Sequence, residues 1–266
     1  MTTYQRYVAL GDSQTEGIGD GDDVRGHRGF ADRLAEHLAR ANPDLLYANL
    51  AVRGRRAAQV RDEQLQAALA LRPDVATVVA GMNDLIRPGF DAAQVTAVLE
   101  EMFAALTAAG TRVVTVTYPD IGQIAPAARR LLPRVLDFNE RIRQAATRQG
   151  VTLVDTYPHA FATDARVWSA DRLHASPTGH ARIAAALAHA LGLPGSDDTW
   201  TAALPPRPAP PAWRAAATEL RWLVGFAGPW IGRRLRGRST GDGRTAKRPL
   251  LAPMGALTDT SPSGRW

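Results

Sequence analysis

Tyr7-Val8-Ala9-Leu10-Gly11-Asp12-Ser13-Gln14-Thr15-Glu16-Gly17 is a short apolar run that ends abruptly in a glycine and a polar turn. The run is β-prone and carries no charge, so it predicts a buried strand over Tyr7–Leu10. Beyond the Gly-rich stretch that follows, Phe30, Leu34 and Leu38 recur at helical spacing. A strand, a polar turn and a helix form the opening unit of an α/β sheet.

The same alternation continues to about residue 191. Strands are expected at Leu45–Leu50, Val75–Val79, Arg112–Val116 and Val151–Val154. Val75–Val79 is β-branched and unbroken by charge, as in a strand covered on both faces. Helices are expected at Ala57–Leu71, with Val60, Leu65 and Leu69 on its apolar side, at Asp91–Ala109 closed by Gly110, and at Pro133–Gln149. Ser176 and Pro177 open a last Ala-rich helix to about Leu191. Five strand-then-helix units give a mainly parallel sheet with right-handed crossovers. Ligands bind such sheets beyond the carboxyl ends of the strands, which makes the residues just after each strand the informative ones.

Composition bounds the rest. The 266 residues are 45% hydrophobic and 22% charged, an ordinary globular balance. There is no cysteine, which excludes a disulfide scaffold, a thiolate metal site and a cysteine nucleophile. No apolar run approaches a membrane span, and the first residues lack the pattern of a signal peptide, so a cytoplasmic protein is the expectation. The net charge of +6 arises entirely after residue 194, where 11 basic residues meet 5 acidic ones. The neutral body argues against a nucleic-acid partner. The expected division is therefore an α/β domain over 1–194 and a basic extension over 195–266. In the extension, PPRPAPP at 205–211 reads as a polyproline linker. Trp213, Leu220, Trp222, Leu223 and Phe226 mark a short amphipathic helix, and RRLRGR follows at 233–238. Five of the six tryptophans lie after residue 199, too many for a merely solvated tail. The basic amphipathic stretch offers a contact to an anionic membrane.

Four short blocks carry groups with chemistry. Gly11-Asp12-Ser13 places a hydroxyl and a backbone N–H at the end of the first strand, the requirements of an acyl-transfer nucleophile. Asn49 to Gly54 follows the second strand and brings a backbone close to a ligand without a Cβ. Gly81-Met82-Asn83-Asp84 follows the third strand, and the Asn83 amide is a neutral donor suited to an oxyanion. Asp171-Arg172-Leu173-His174 pairs a carboxylate with an imidazole across one turn, which fixes the tautomer of a base. Singly, each block is also what an ordinary polar turn would contain.

Other polar residues invite comparison. Asp20, Asp22 and Asp23 fail the spacing of a calcium loop and read as a solvated loop. His180 reads as a surface or helix-packing histidine. His159 is a candidate for the pocket wall. Arg53 and Arg87 stand beside Gly54 and Asn83, where they face solvent or meet an anionic substrate. Trp168 walls an acyl pocket or packs in the core.

Taken in order, the four blocks resemble the SGNH, or GDSL-type, hydrolases of esterases and lipases, over about residues 4–191. The resemblance implies a three-layer α/β/α, flavodoxin-like sandwich with a five-stranded parallel sheet, which agrees with the strand count above. It implies Ser13 as nucleophile, His174 as general base and Asp171 as the carboxylate that orients it. It implies the Ser13 and Gly54 N–H groups and the Asn83 side chain as oxyanion donors, with no metal and no cofactor. The expected activity is hydrolysis of small acyl esters through an acyl-enzyme on Ser13. Lysophospholipase, thioesterase and carbohydrate deacetylase activities belong to the same expectation, and a membrane- or anion-binding role of the tail is the alternative of a different class.

Overall fold

In the computed structural model the described residues are 3–207, 211–228 and 240–254. Part of the polyproline stretch, the RRLRGR segment and the last twelve residues lie outside them.

The chain opens with β1 (Arg6–Gly11), then a one-turn helix α1 (Ser13–Glu16), a small hairpin of Gly21–Asp22 with Gly26–His27, and α2 (Phe30–Ala41). β2 (Leu46–Asn49) leads into α3 (57–70), a helix with a π-helical turn at Arg61–Leu65. β3 (Val75–Val79), the short α4 (Met82–Leu85) and α5 (Ala92–Ala108) follow. Then come β4 (Arg112–Val116), the short α6 (Ile121–Ile124), α7 (Leu132–Arg148), β5 (Thr152–Val154) and α8 (Pro177–Ala190). The C-terminal part supplies α9 (Ala212–Trp222), which runs into a π turn at Leu223–Ala227, and β6 (Arg248–Pro253).

Local chemistry explains the boundaries. The Asp91 carboxylate caps α5 by accepting from the Ala93 and Gln94 N–H groups, and the Ser176 hydroxyl caps α8 at Gly179. Pro177 sits in the first turn of α8, where its missing N–H removes no bond. Gly110 takes a left-handed conformation just past α5.

The sheet runs β5-β4-β3-β1-β2-β6, and its first five strands are all parallel. Alternation sorts their side chains. Val8, Leu10, Ala76 and Val78 face one core with α3, α5 and α7. Tyr7, Ala9, Val75 and Val79 face the other with α2 and α8. The architecture is therefore a three-layer α/β/α sandwich. The chain leaves β1 toward β2 on one side and returns to β3 on the other. The loops after β1 and β3 thus diverge at the switch point of the sheet, where a crevice opens.

Among the described residues the sheet has six strands, which corrects the expected five. β6 pairs antiparallel with β2, setting Leu46 against Pro253, Tyr47 against Ala252 and Asn49 against Arg248. Its prolines, Pro249 and Pro253, disguise it as linker in the sequence. An edge strand tolerates them because one row of its N–H groups needs no partner. Arg248 fixes the strand in place. It donates to the Tyr47 carbonyl at 2.8 Å and to the Ala252 and Pro253 carbonyls at 2.7 Å each, with its guanidinium over the Tyr47 ring. Among the described residues, no helix is long and apolar enough to cross a membrane.

Candidate active site

Ser13 is the first residue of α1, directly beyond β1. Gly11 makes that turn: a Cβ there would run into the Thr15 hydroxyl and the Val79 carbonyl. Gln64 from α3 braces the same glycine on both sides, accepting from its N–H and donating to its carbonyl, each at 2.9 Å.

Asp171 and His174 occupy the loop before α8. His174 Nε2 lies 2.9 Å from Ser13 Oγ, and His174 Nδ1 lies 2.6 Å from Asp171 Oδ2. The other carboxylate oxygen of Asp171 accepts from the Ser169 hydroxyl at 2.6 Å and from the Leu173 and His174 N–H groups at 2.9 and 3.0 Å. Asp171 thus shapes the turn as well as holding the imidazole. Burial pushes its carboxyl up, but the His174 ring beside it and these donors outweigh burial and hold it well below the usual carboxylate range. It is therefore an anion at any pH where His174 acts as a base. Arg172, between them, adopts a left-handed backbone that its position in the tight turn requires.

Gln14 joins the two halves. Its side chain donates to the Leu173 carbonyl at 2.9 Å and accepts from the Ala175 N–H at 3.2 Å, gripping the backbone on both sides of His174. The only sequence signal for this residue is that it follows Ser13.

Gly54 stands in the loop after β2 in a left-handed conformation. Asn49 holds the start of that loop, donating to the Thr15 carbonyl at 2.8 Å and accepting from the Ala51 N–H at 3.1 Å. Glu16 of α1 holds its end, accepting from the Arg53 N–H at 2.7 Å and from the Arg53 guanidinium at 2.9 and 2.5 Å. Arg53 is thereby neither solvated nor turned to a substrate, since Glu16 and Asp23 consume its donors in a largely buried position. The acidic partner is 37 residues away, which no local pattern reveals.

Asn83 lies at the start of α4 beyond β3. Its amide nitrogen donates to Asp12 Oδ2 and to the Arg55 carbonyl, each at 3.1 Å. The Asn83 side chain thus spans the nucleophile turn and the Gly54 loop, and a substrate oxyanion would have to share or replace one of these acceptors. Asp12 is almost fully buried, and burial raises its carboxyl to about 6 despite the Gln14 N–H, His174 and the Asn83 amide beside it.

The remaining sequence candidates fall elsewhere. Arg87 donates to the Asn83 carbonyl at 3.2 Å. Asp20 pairs with Arg33, Asp22 caps its own turn at Val24 and Arg25, and Asp23 meets Arg53 and Arg244, so the three carboxylates diverge. His180 is fully buried between α2 and α8. Its Nδ1 accepts from the Phe30 N–H at 3.1 Å and its Nε2 faces the Ile18 carbonyl at 3.1 Å, and burial lowers it to about 4, so it is a neutral packing residue at pH 7. His159 packs edge-on against Trp200. Trp168 borders a small, almost wholly apolar cavity of about 60 Å³ with Val79, Met82, Val116, Phe161 and Val167, and Gln14 and Ala175 also border it, next to Ser13 and His174 in the chain.

Comparison with known proteins bears on family and fold. Residues 9–182 match the model of the GDSL-like Lipase/Acylhydrolase family. No curated protein matches the chain. Among solved structures, the chain is similar to LAE5, an alpha/beta hydrolase enzyme from the metagenome of Lake Arreo, Spain, at 23% identity over 71% of this chain and 95% of that one, with a TM-score of 0.58. It is similar to Axe2, an acetylxylan esterase from Geobacillus stearothermophilus, at 18% identity over 73% and 97%, with a TM-score of 0.59. It is also similar to the lipase Lip_vut3 from a goat rumen metagenome, at 19% identity over 73% and 99%, with a TM-score of 0.60. At these identities the likeness is one of fold.

Proposed function

Because the chain belongs to the GDSL-like lipase/acylhydrolase family and is a carboxylic ester hydrolase, we propose that it cleaves short acyl esters through an acyl-enzyme on Ser13. The observation that carries this reading is the unbroken line from Ser13 Oγ through His174 to Asp171, with contacts of 2.9 and 2.6 Å. His174 Nε2 takes the hydroxyl proton as Ser13 Oγ attacks the ester carbonyl. The carbonyl oxygen becomes an oxyanion, which the Ser13 and Gly54 N–H groups and the Asn83 amide receive. As the tetrahedral intermediate collapses, His174 returns the proton to the departing alcohol. Water then attacks the acyl-serine, giving its proton to His174, and the acid leaves with Ser13 restored. Asp171 stabilises the imidazolium formed in both halves. The apolar cavity bordered by Val79, Met82 and Trp168, with Gln14 and Ala175 beside the catalytic residues, is the acyl site of this reading.

The test is hydrolysis of p-nitrophenyl esters from acetate to palmitate by the wild type and Ser13→Ala in parallel. Turnover by the wild type alone, greatest for acetate and butyrate, is expected. Equal turnover by the two chains refutes the role of Ser13, and an optimum at palmitate refutes the short-acyl reading.

A further inference from the structure

The turn that carries Asp171 and His174 has a demanding geometry. The Ser169 carbonyl accepts from the Arg172 N–H at 3.0 Å, and the Ser169 N–H donates to the His174 carbonyl at 2.8 Å, so the segment closes on itself. Arg172, between Asp171 and His174, has a φ of 59°. A non-glycine residue is disfavoured in that left-handed region and persists where its surroundings over-determine it. Gln14 grips the chain after this point, at Leu173 and Ala175. The peptide that joins Asp171 to Arg172 has a different holder.

That holder is α9, which lies beyond the residues that match the family model. The Trp222 indole N–H donates to the Asp171 carbonyl at 2.8 Å. This carbonyl belongs to the peptide between Asp171 and Arg172, so the bond fixes the plane from which the Arg172 backbone turns. Glu219, one helical turn earlier and therefore on the same side of α9, pairs with the Arg172 guanidinium at 2.6 Å. The guanidinium lies 4.9 Å from the centre of the Trp222 ring. All three side chains are partly buried. Two adjacent residues of α9's last turn thus hold the carbonyl on one side of a single peptide and the side chain on the other. A rotation of that peptide would change ψ of Asp171 and φ of Arg172 together, and would move His174 relative to the Asp171 carboxylate that meets it at 2.6 Å.

We infer that Trp222 and Glu219 are positioning residues of the hydrolase site: α9 holds the Asp171–Arg172 peptide in its left-handed turn and thereby keeps the Asp171 carboxylate in line with His174. The inference rests on the assignment of Asp171 and His174 to the acyl-enzyme mechanism. Both side chains act through the turn and not on the substrate. Proton transfer is sensitive to such placement, since a displacement of about 1 Å can cost about a hundredfold in rate. The helix in the C-terminal extension is then part of the working site and not an appendage to it.

The test is kcat and KM on p-nitrophenyl acetate for the full chain and for its Trp222→Phe and Glu219→Ala variants, with melting temperatures and proton magnetic resonance spectra in water. Trp222→Phe removes the N–H donor and keeps an aromatic ring beside Arg172. For the loss of one such hydrogen bond, kcat should fall about three- to tenfold while KM stays within about twofold. The proton between Asp171 and His174, which resonates far downfield of the amides, should shift or broaden in both variants, and both should remain folded. A folded Trp222→Phe chain with wild-type kcat overturns the inference. A change in KM alone overturns it as well, and so does a loss of kcat that leaves the downfield proton unmoved. If Trp222→Phe melts below the assay temperature, Glu219→Ala decides by the same readings, and unfolding of both variants assigns these contacts to stability and overturns the inference too. The downfield proton is read without substrate, so a wild type that hydrolyses no ester refutes the hydrolase reading while the effect of α9 on the turn is still measured.

Discussion

Replacing Asp171 by Asn separates the two tasks of this side chain. Asp171 Oδ1 accepts from the Ser169 hydroxyl and from two backbone N–H groups of the turn, and an asparagine oxygen can keep these contacts. The other oxygen, 2.6 Å from His174 Nδ1, would become an NH₂ group. The imidazole would then have to present an unprotonated Nδ1 to it, leaving the proton on Nε2 and aimed at Ser13. That tautomer cannot accept the hydroxyl proton. The charge is lost as well. At the observed 2.6 Å, an imidazolium and a carboxylate attract by about 6 kcal/mol at an effective dielectric of about 20. The attraction acts once His174 is protonated, so it lowers the barrier and not the energy of the resting enzyme. At roughly 1.4 kcal/mol per tenfold change, its removal corresponds to about 10⁴ in kcat, the size of loss seen for the same change in a serine protease of unrelated fold. The assay is kcat and KM on p-nitrophenyl acetate from pH 6 to 10, with circular dichroism and thermal melting to show that the turn persists. A folded Asp171→Asn chain that keeps more than a tenth of wild-type kcat would refute the assignment of Asp171 as the partner of His174.

Three further perturbations probe the surrounding groups. Asn83→Ala should raise the barrier by about 2.7–4 kcal/mol, read as kcat on a small ester, and unchanged kcat would remove Asn83 from the oxyanion site. Gln14→Ala deletes the two hydrogen bonds that grip the His174 loop, so kcat should fall about tenfold with KM little altered, each bond contributing about 0.5–1.5 kcal/mol; a change in KM alone would contradict a positioning role. Asp12 has its carboxyl raised from 3.8 to about 6, so the stability its protonated form provides is present below 3.8 and is lost as pH rises through 6. Asp12→Asn should therefore raise stability at pH 8 by about 3 kcal/mol and leave it nearly unchanged at pH 3.5, in thermal melts. Equal shifts at both pH values would show that burial of the charge is not the cause.

The periodic part of the molecule was legible in the sequence because its causes are local. A both-faces-buried strand such as Val75–Val79 must be uniformly apolar, and helices such as 177–190 announce themselves by Ser176, Pro177 and apolar spacing. Motif order identified the blocks that hold Ser13, Gly54, Asn83, Asp171 and His174. β6 escaped notice because an edge strand needs neither an unbroken apolar run nor freedom from proline. Neither the solvent nor the anionic substrate expected for Arg53 meets it, because Glu16, its buried partner, lies in a different element.

What the sequence determined by itself was therefore the kind of sheet and the inventory of reactive groups, since strand period, helix caps and turn residues act over a few positions. Tertiary structure alone decided how those groups meet. Ser13 and His174 are 161 residues apart, and their 2.9 Å contact depends on the parallel sheet order and on the grip of Gln14. The engagement of Asn83 by Asp12, the pairing of Arg53 with Glu16 and the docking of Trp222 on the Asp171 loop are likewise contacts between distant elements. Directional hydrogen bonds and ion pairs form only at a few ångströms, and only packing of the layers brings residues so far apart in the chain within that range.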